Sequence, residues 1–353
     1  KALIGFSAGG ADTGKTTDIH DLIVSGGALL GQVVGAKKTT NLTMTNCART
    51  DAGPLIDLVN GGTESSASSG NPVLTNCGSA GQLIGTLYLG SSSSYPKQLT
   101  GCYSGAEMFG SIANNTSQNK RGTLTSSNCF ELSASPYASN INNKDDGYKG
   151  RPILYTADKL ATGELAWLLN TVSGNEGNSG AWSQEDGVPV PAIGGRKPVY
   201  RLTFTDADGA GSDGYAYSVN NGCARAADFP SGTWGYADGG KTVIVTESTV
   251  ITQDLTLTRQ GLTFNGSADI KTNPTYGDSW GKIITGTNSI EVSDGSTKLS
   301  GTLTVQLLVN GGYVDMDESA VPDAGSYSYR VQFSSGSYAE LTAASGTVKV
   351  DPR

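Results

Sequence analysis

Leu74-Thr75-Asn76-Cys77 and, four residues on, Gly81-Gln82-Leu83-Ile84-Gly85 are the two units whose recurrence decides the fold. The second unit has relatives in Leu3-Ile4-Gly5, Leu29-Leu30-Gly31, Leu55-Ile56-Asp57 and Met108-Phe109-Gly110, so that five blocks start 26, 26, 28 and 25 residues apart. The first unit sets a second ladder, Ile23, Cys47, Cys77, Cys102 and Cys129, at steps of 24, 30, 25 and 27. A repeat of this length marks a coil whose turns each lay short strands on the turn below, with equivalent apolar residues stacked in a narrow core. The sequence therefore predicts a right-handed parallel β-helix over residues 1–150. Thr63–Asn71 and Gly90–Lys97 read as loops projecting from the coil.

The ladder also gives the cysteines a role. Ile23 fills the slot that Cys takes in later turns, and a small buried hydrophobe can be exchanged for Ile where a metal ligand cannot. Stacked rungs are about 4.8 Å apart, which leaves disulfides open. None of the pairs shows close metal-ligand spacing. Cys223 stands alone in the later chain and is expected buried and reduced.

The units Gly27–Gly31, Gly81–Gly85, Leu74–Cys77 and Leu99-Thr100-Gly101-Cys102-Tyr103 resemble GLUG-type repeats of large surface proteins of gut bacteria. Thr162-Gly163-Glu164-Leu165-Ala166-Trp167-Leu168-Leu169-Asn170, followed by Trp182-Ser183-Gln184, is similar to the segment that closes such solenoids. Its ending, Gly187-Val188-Pro189-Val190-Pro191, departs from the family pattern. The resemblance covers about residues 1–200 and implies architecture and surface display; the family has no shared catalytic residue to carry over. The residues themselves agree on a closing segment at 151–197. Asp158 or Thr162 can cap a short helix, Asn170 can stop it, and an amphipathic helix can cover the unpaired strand edges at a solenoid's end. Trp167 and Trp182 read as packing of that cap rather than as a sugar-stacking platform.

Composition points the same way. Gly supplies 49 of 353 residues and charged residues only 16%, a mixture suited to short strands and tight turns and unsuited to a helical bundle. A net charge of −8 argues against gripping phosphate backbones, and nucleic acid is not an expected partner. No apolar run is long enough to span a membrane. The chain opens at Lys1 inside a patterned segment and closes at Arg353, which predicts an excised piece of a longer exported protein.

From Lys197 the pattern turns to strand alternation. Val199–Phe204, Thr242–Thr246 and Asp254–Thr258 form a small β domain over 198–265. Turn signals at Asn273-Pro274, Asp294-Gly295, Asn310-Gly311-Gly312 and Asp323-Ala324-Gly325 punctuate residues 266–353. There Val321–Val331 and Thr275-Tyr276-Gly277-Asp278 look similar to bacterial immunoglobulin-like repeats. That makes the last segment an Ig-like β-sandwich.

Motifs that could carry chemistry are few. Gly9–Thr16 matches a P-loop by letters, but no helix or α/β alternation follows. Asp206, Asp208 and Asp213 alternate with Gly as a Ca²⁺ loop would, without the Glu at the twelfth position, so a solvated turn is the plainer reading. Asp315, Asp317 and Glu318 read as a polar loop. His20 is the single histidine and would have to carry any His-based catalysis. Parallel β-helices also serve as polysaccharide-cleaving enzymes, which need grouped carboxylates. Only Asp51 and Asp57 flank one rung, and no basic partner repeats with them.

The expected function is therefore a non-enzymatic, adhesin-like region at the extracellular bacterial cell surface, monomeric and without a cofactor. It would contact a host extracellular protein, an immunoglobulin among them, or a glycan. A structural stalk and a carbohydrate-active β-helix are the competing readings.

Overall fold

The computed structural model describes residues 3–4, 7–8, 16–34, 40–60, 70–89, 97–114, 124–134, 148–171, 181–205, 212–295 and 297–352. The chain is mostly β and divides into two compact units. One holds Lys1–Arg201, Ala216–Asp228 and Val250–Asp254, and the other Leu202–Tyr215, Phe229–Thr249 and Leu255–Arg353.

The first unit is built on a β-solenoid. One parallel sheet runs through Ser7–Ala8, Leu30–Val34, Ile56–Asn60, Ile84–Leu89 and Phe109–Asn114 in that order. Its register places Leu30, Ile56, Ile84 and Phe109 on one another, with Ile4 bridged to Leu30. The second residue of each repeated block is thus one ladder. The residues before them, Leu29, Leu55, Leu83 and Met108, are buried in the same core.

The facing parallel sheet holds Thr16–Val24, Thr40–Arg49, Gly70–Thr75, Lys97–Thr100, Leu124–Ser127 and Tyr148–Lys149. Ile19, Met44, Leu74, Leu99 and Ser126 stack across it. Residues 61–69 and 90–96, the bulk of the two expected loops, lie outside the described residues, while Gly70, Asn71 and Lys97 belong to strands.

One register differs from the sequence reading. Leu22, not Ile23, stands opposite Cys47. The reason is the residue before it. Asn46, Asn76 and Asn128 take φ of 53°, 52° and 53°, Gly101 takes 60°, and Asp21 takes 58° in the same place. Asn, Asp and Gly tolerate this left-handed backbone, and the kink aims the next side chain at the core. Counting apolar residues missed the slot because the kink sets it. Leu22 keeps 36% of its surface exposed, since among the described residues its strand pairs on one side only.

Outside the coil a second core forms. Ala48, Gly78, Tyr103 and Phe130 stack on the outer face of the short strands that follow the kink. Tyr103 and Phe130 share a buried cluster with Tyr155, Leu165, Ala166, Leu169, Trp182 and Val199. Gly78 is required there, because a Cβ would sit 1.9 Å from Tyr103 Cε1. The closing segment has two short helices, Ala157–Thr162 and Glu164–Thr171, parted by Gly163 at φ 94°. A hairpin, Trp182–Glu185 with Val188–Pro191, follows. The latter strand lies against Thr16–Val24 and Thr40–Arg49. The segment therefore packs along the flank of the coil, through the cluster around Tyr103 and Phe130. Its first strand, Ile153–Leu154, also pairs in parallel with Phe130–Glu131 and so covers that strand's edge.

Capping also differs in detail. Thr156 is the N-cap of the first helix, and Thr162 Oγ1 accepts from the Glu164 N–H at 3.5 Å at the start of the second. Asn170 does more than end a helix. Its amide donates to the Trp182 and Val199 carbonyls at 3.0 and 3.1 Å and accepts from the Trp182 N–H at 2.8 Å, pinning helix to hairpin.

The second unit is built of β-sheets. A five-stranded sheet has the order Ser212–Tyr217, Arg201–Thr205, Leu255–Gln260, Thr233–Asp238, Lys241–Val245. Phe204 packs edge-on against Phe229 and Trp234. Beyond it an antiparallel sheet orders Gly312–Asp315, Thr302–Val309, Gly325–Ser334 and Leu341–Val350. Leu262 and Val292, from the antiparallel pair Leu262–Asn265 and Glu291–Asp294, join its Val331, Phe333 and Leu341 in one core. A helical turn, Trp280–Ile283, adds Trp280 and Ile283 to that core. No helix among the described residues is long and apolar enough to cross a membrane.

Candidate functional site

Strand alternation puts the residues flanking the Ile19–Ser126 ladder on the outer face of the coil. They form two columns. One is Asp18, Thr43, Val73, Gln98 and Thr125, and the other His20, Thr45, Thr75, Thr100 and Ser127. All ten are half-buried or exposed, and the repeat spaces them at about 4.8 Å per turn. Ser127 Oγ donates to Thr100 Oγ1 at 3.3 Å, so neighbouring hydroxyls are in register. On the other sheet Ser111 Oγ donates to Thr86 Oγ1 at 3.0 Å in the same manner. The result is a flank mostly of hydroxyls, with Gln98 and Val73 among them and Asp18 and His20 on the first strand.

An amide ladder edges this flank at the kink. Asn46 Nδ2 donates to Asp21 Oδ1 at 2.9 Å, and Asn76 Nδ2 donates to Asn46 Oδ1 at 3.4 Å. The next turn carries Gly101, which has no amide to offer, and the buried Asn76 Oδ1 is left without a partner. His20 is exposed and meets Asp21 at 3.0 Å. The Asn46 amide and the His20 ring hold the Asp21 carboxyl below its usual range. That pair is solvated, and Cys47 beneath it is buried in the core.

The four coil cysteines are free thiols in one stack. Cys47, Cys77, Cys102 and Cys129 reach the carbonyls of Thr45, Thr75, Thr100 and Ser127 at 3.3 to 3.4 Å. Burial pushes the Cys77 and Cys102 thiols well above their ordinary value. Such thiols are poor nucleophiles and poor metal ligands. Cys223 is free too, but half-buried rather than buried.

Two residues past each cysteine stands a polar side chain that sequence reasoning missed: Arg49, Ser79, Ser104 and Glu131, all buried and stacked in register. They satisfy the backbone of the corners. Arg49 Nη1 donates to the Pro54 carbonyl at 2.9 Å, and Ser79 Oγ to that of Gly53 at 2.6 Å. Ser104 Oγ donates to the Gly81 and Glu107 carbonyls, and Glu131 Oε2 accepts from the Met108 N–H. The constant offset from Cys was the available signal. Arg49 also pairs with Asp51 at 2.7 Å, and its guanidinium holds that carboxyl below the usual range. Asp51 is thus spent on the corner while Asp57 faces solvent, so the two do not form a carboxylate pair.

The remaining candidates are placed as follows. Gly9–Lys15 lie outside the described residues, and Thr16 opens a strand, not the helix a P-loop needs. Asp206 and Asp208 lie outside the described residues, and of Asp213 only the backbone, in Ser212–Tyr217, is described. Asp317 bonds the Ser319 N–H and hydroxyl at 2.9 and 2.7 Å within a polar turn. Among the described residues no three His, Cys, Asp or Glu side chains gather around one point. Trp182 is fully buried, edge-on to Tyr103 at 5.4 Å. Trp167 gives its N–H to Asp254 at 3.0 Å and carries the Arg201 guanidinium over its ring at 4.0 Å. One face of the Trp167 ring is thus taken, and the Trp182 indole is closed to solvent.

No family model matches the chain, and no curated protein or solved structure is significantly similar to it.

Proposed function

We propose that this chain is a non-enzymatic, adhesin-like binding region displayed outside a bacterial cell, and that its hydroxyl-rich flank contacts a host extracellular protein. The observation that carries the reading is that flank itself, two outer columns across five stacked strands, mostly Thr with Ser127 and Gln98, in register. A polar face of repeating geometry suits a protein surface better than a small molecule, which needs concavity. An immunoglobulin is the first partner to test, since a gut surface protein meets secreted antibody. Support for that setting is the resemblance of the repeat units to GLUG-type surface proteins. The solenoid is taken as right-handed, as nearly all parallel crossovers are. The C-terminal sheets are taken as Ig-like modules that hold the coil away from the cell.

The test is capture from intestinal secretions by the whole chain and by a Thr75→Arg/Thr100→Arg variant, whose changes are on the outer face. Retention of a specific protein by the parent and its loss with the variant supports the reading. Equal capture by both, or none by either, overturns it. In the latter case the structural stalk becomes the better account.

A further inference from the structure

The first unit contains a groove that the flank does not use. It has a volume of about 520 Å³ and is lined by Gln184, Glu185, Asp186, Arg196, Asn220 and Asn221, with Val219 as its apolar wall. The size falls within the range of small-molecule sites. Three tight turns converge on it. Asp186 and Gly187 take φ of 49° and 81°, Gly194 and Gly195 take 64° and 87°, and Asn221 and Gly222 take 48° and 91°. Paired left-handed residues of this kind make short, stiff connections. The groove is therefore walled by turn tips.

Its floor is rigid as well. Gln184 is 8% exposed, and its Nε2 donates to the Leu160 and Ala161 carbonyls at 2.9 and 3.3 Å, tying the hairpin to the end of the first helix. Arg196 meets Glu185 through Nη2 at 2.7 Å and Nε at 2.9 Å, which fixes a planar guanidinium and carboxylate at the rim. Asp186, Asn220 and Asn221 are exposed and, among the described residues, their side chains are engaged in no hydrogen bond.

The chemistry narrows the ligand. One guanidinium against two carboxylates gives no net positive charge, so an anion is disfavoured. With Glu185 held by Arg196, one free carboxylate remains, too few for a hard cation that wants six or more oxygens. No aromatic ring lines the groove to stack a base. What remains is a set of planar amide, carboxylate and guanidinium groups that donate and accept side by side, next to one small apolar wall. That set matches adjacent hydroxyls, each of which also donates and accepts. We infer that this groove is a binding site for a neutral saccharide unit. It is built from residues other than those of the flank, and the inference does not rest on the flank reading.

Without a stacking ring the affinity should be millimolar, and avidity across many copies would have to raise it. The test is saturation-transfer NMR on the whole chain with lactose, maltose and N,N′-diacetylchitobiose, repeated with Arg196→Met and with Asn220→Trp. Arg196 is half-buried and Asn220 exposed, and unchanged circular dichroism would confirm that each variant folds. The expected result is transfer from at least one disaccharide, weakened about tenfold or more by either substitution and unaffected by Thr75→Arg/Thr100→Arg. Transfer lost in the flank variant but kept in the groove variants would overturn the groove site and move sugar binding to the flank. No transfer from any of the three sugars, or transfer indifferent to all variants, would also overturn it. Neither result would touch capture of a host protein by the flank.

Discussion

Gly78→Ala tests the packing that fixes the closing segment to the coil. The added Cβ would lie 1.9 Å from Tyr103 Cε1, 2.3 Å from Cδ1 and 2.9 Å from Cζ. Carbon atoms in contact prefer about 3.5–4.0 Å, so the ring must retreat by roughly 1.6 Å or more. It has nowhere to go. Its hydroxyl donates to the Pro189 carbonyl at 2.7 Å, and its face meets Trp182 edge-on at 5.4 Å. Retreat gives up a buried hydrogen bond of about 1 kcal/mol and an aromatic contact of about 1 kcal/mol. Residual overpacking adds about 1 kcal/mol or more, which brings the expected cost to roughly 3 kcal/mol. The assay is urea unfolding of the parent, Gly78→Ala, Tyr103→Ala and the double variant, followed by tryptophan emission. If the clash is the cause, Gly78→Ala should cost almost nothing once Tyr103 is Ala, and the cycle should show a coupling close to the full single-variant effect. A cost below about 0.5 kcal/mol for Gly78→Ala, or the same cost in both backgrounds, would refute the reasoning.

Three further outcomes are expected. Gly101→Asn should stabilise the coil by about 1 kcal/mol, because Asn tolerates the φ of 60° there and its amide can meet the orphaned Asn76 Oδ1; a lowered urea midpoint would count against the amide ladder. A thiol reagent should modify the half-buried Cys223 first and reach Cys77 and Cys102 only on unfolding, and mass spectrometry showing early modification of Cys77 would contradict the register. Burial and the neighbouring Asp294 carboxylate push the Tyr338 hydroxyl up to about 12. The unfolded chain ionises this group near pH 10 and the folded chain later, so its stabilising contribution is complete below pH 10 and is lost as pH rises towards 12. Tyr338→Phe should flatten the fall of the urea midpoint across that window, and an unchanged slope would remove Tyr338 as its source.

The coil was legible in the sequence because each turn repeats a local decision. An Asn, Asp or Gly kinks the chain, an apolar residue follows inward, and a Leu-Ile-like pair fills the opposite wall, so period and spacing revealed the ladders. The first turn was misread by one residue because Ile23 looked like the better apolar match, whereas Asp21 carries the kink and Leu22 follows it. The buried column of Arg49, Ser79, Ser104 and Glu131 stood at a constant offset from cysteine, yet four different side chains hid a shared task of satisfying corner backbone. Single residues did not announce the outer core. Ala48 and Gly78 look like spacers until the aromatic ring of Tyr103 folds over them, and Tyr103 finds its acceptor in Pro189, 86 positions away. The groove draws its walls from 183–196 and 219–221, which no local pattern joins. Periodic local geometry thus determined the coil from the sequence alone, because each turn is stabilised by contacts that recur at one spacing. The covered flank, the uncovered flank and the groove were decided only by tertiary packing, since they depend on which distant aromatic rings and tight turns come to share a surface.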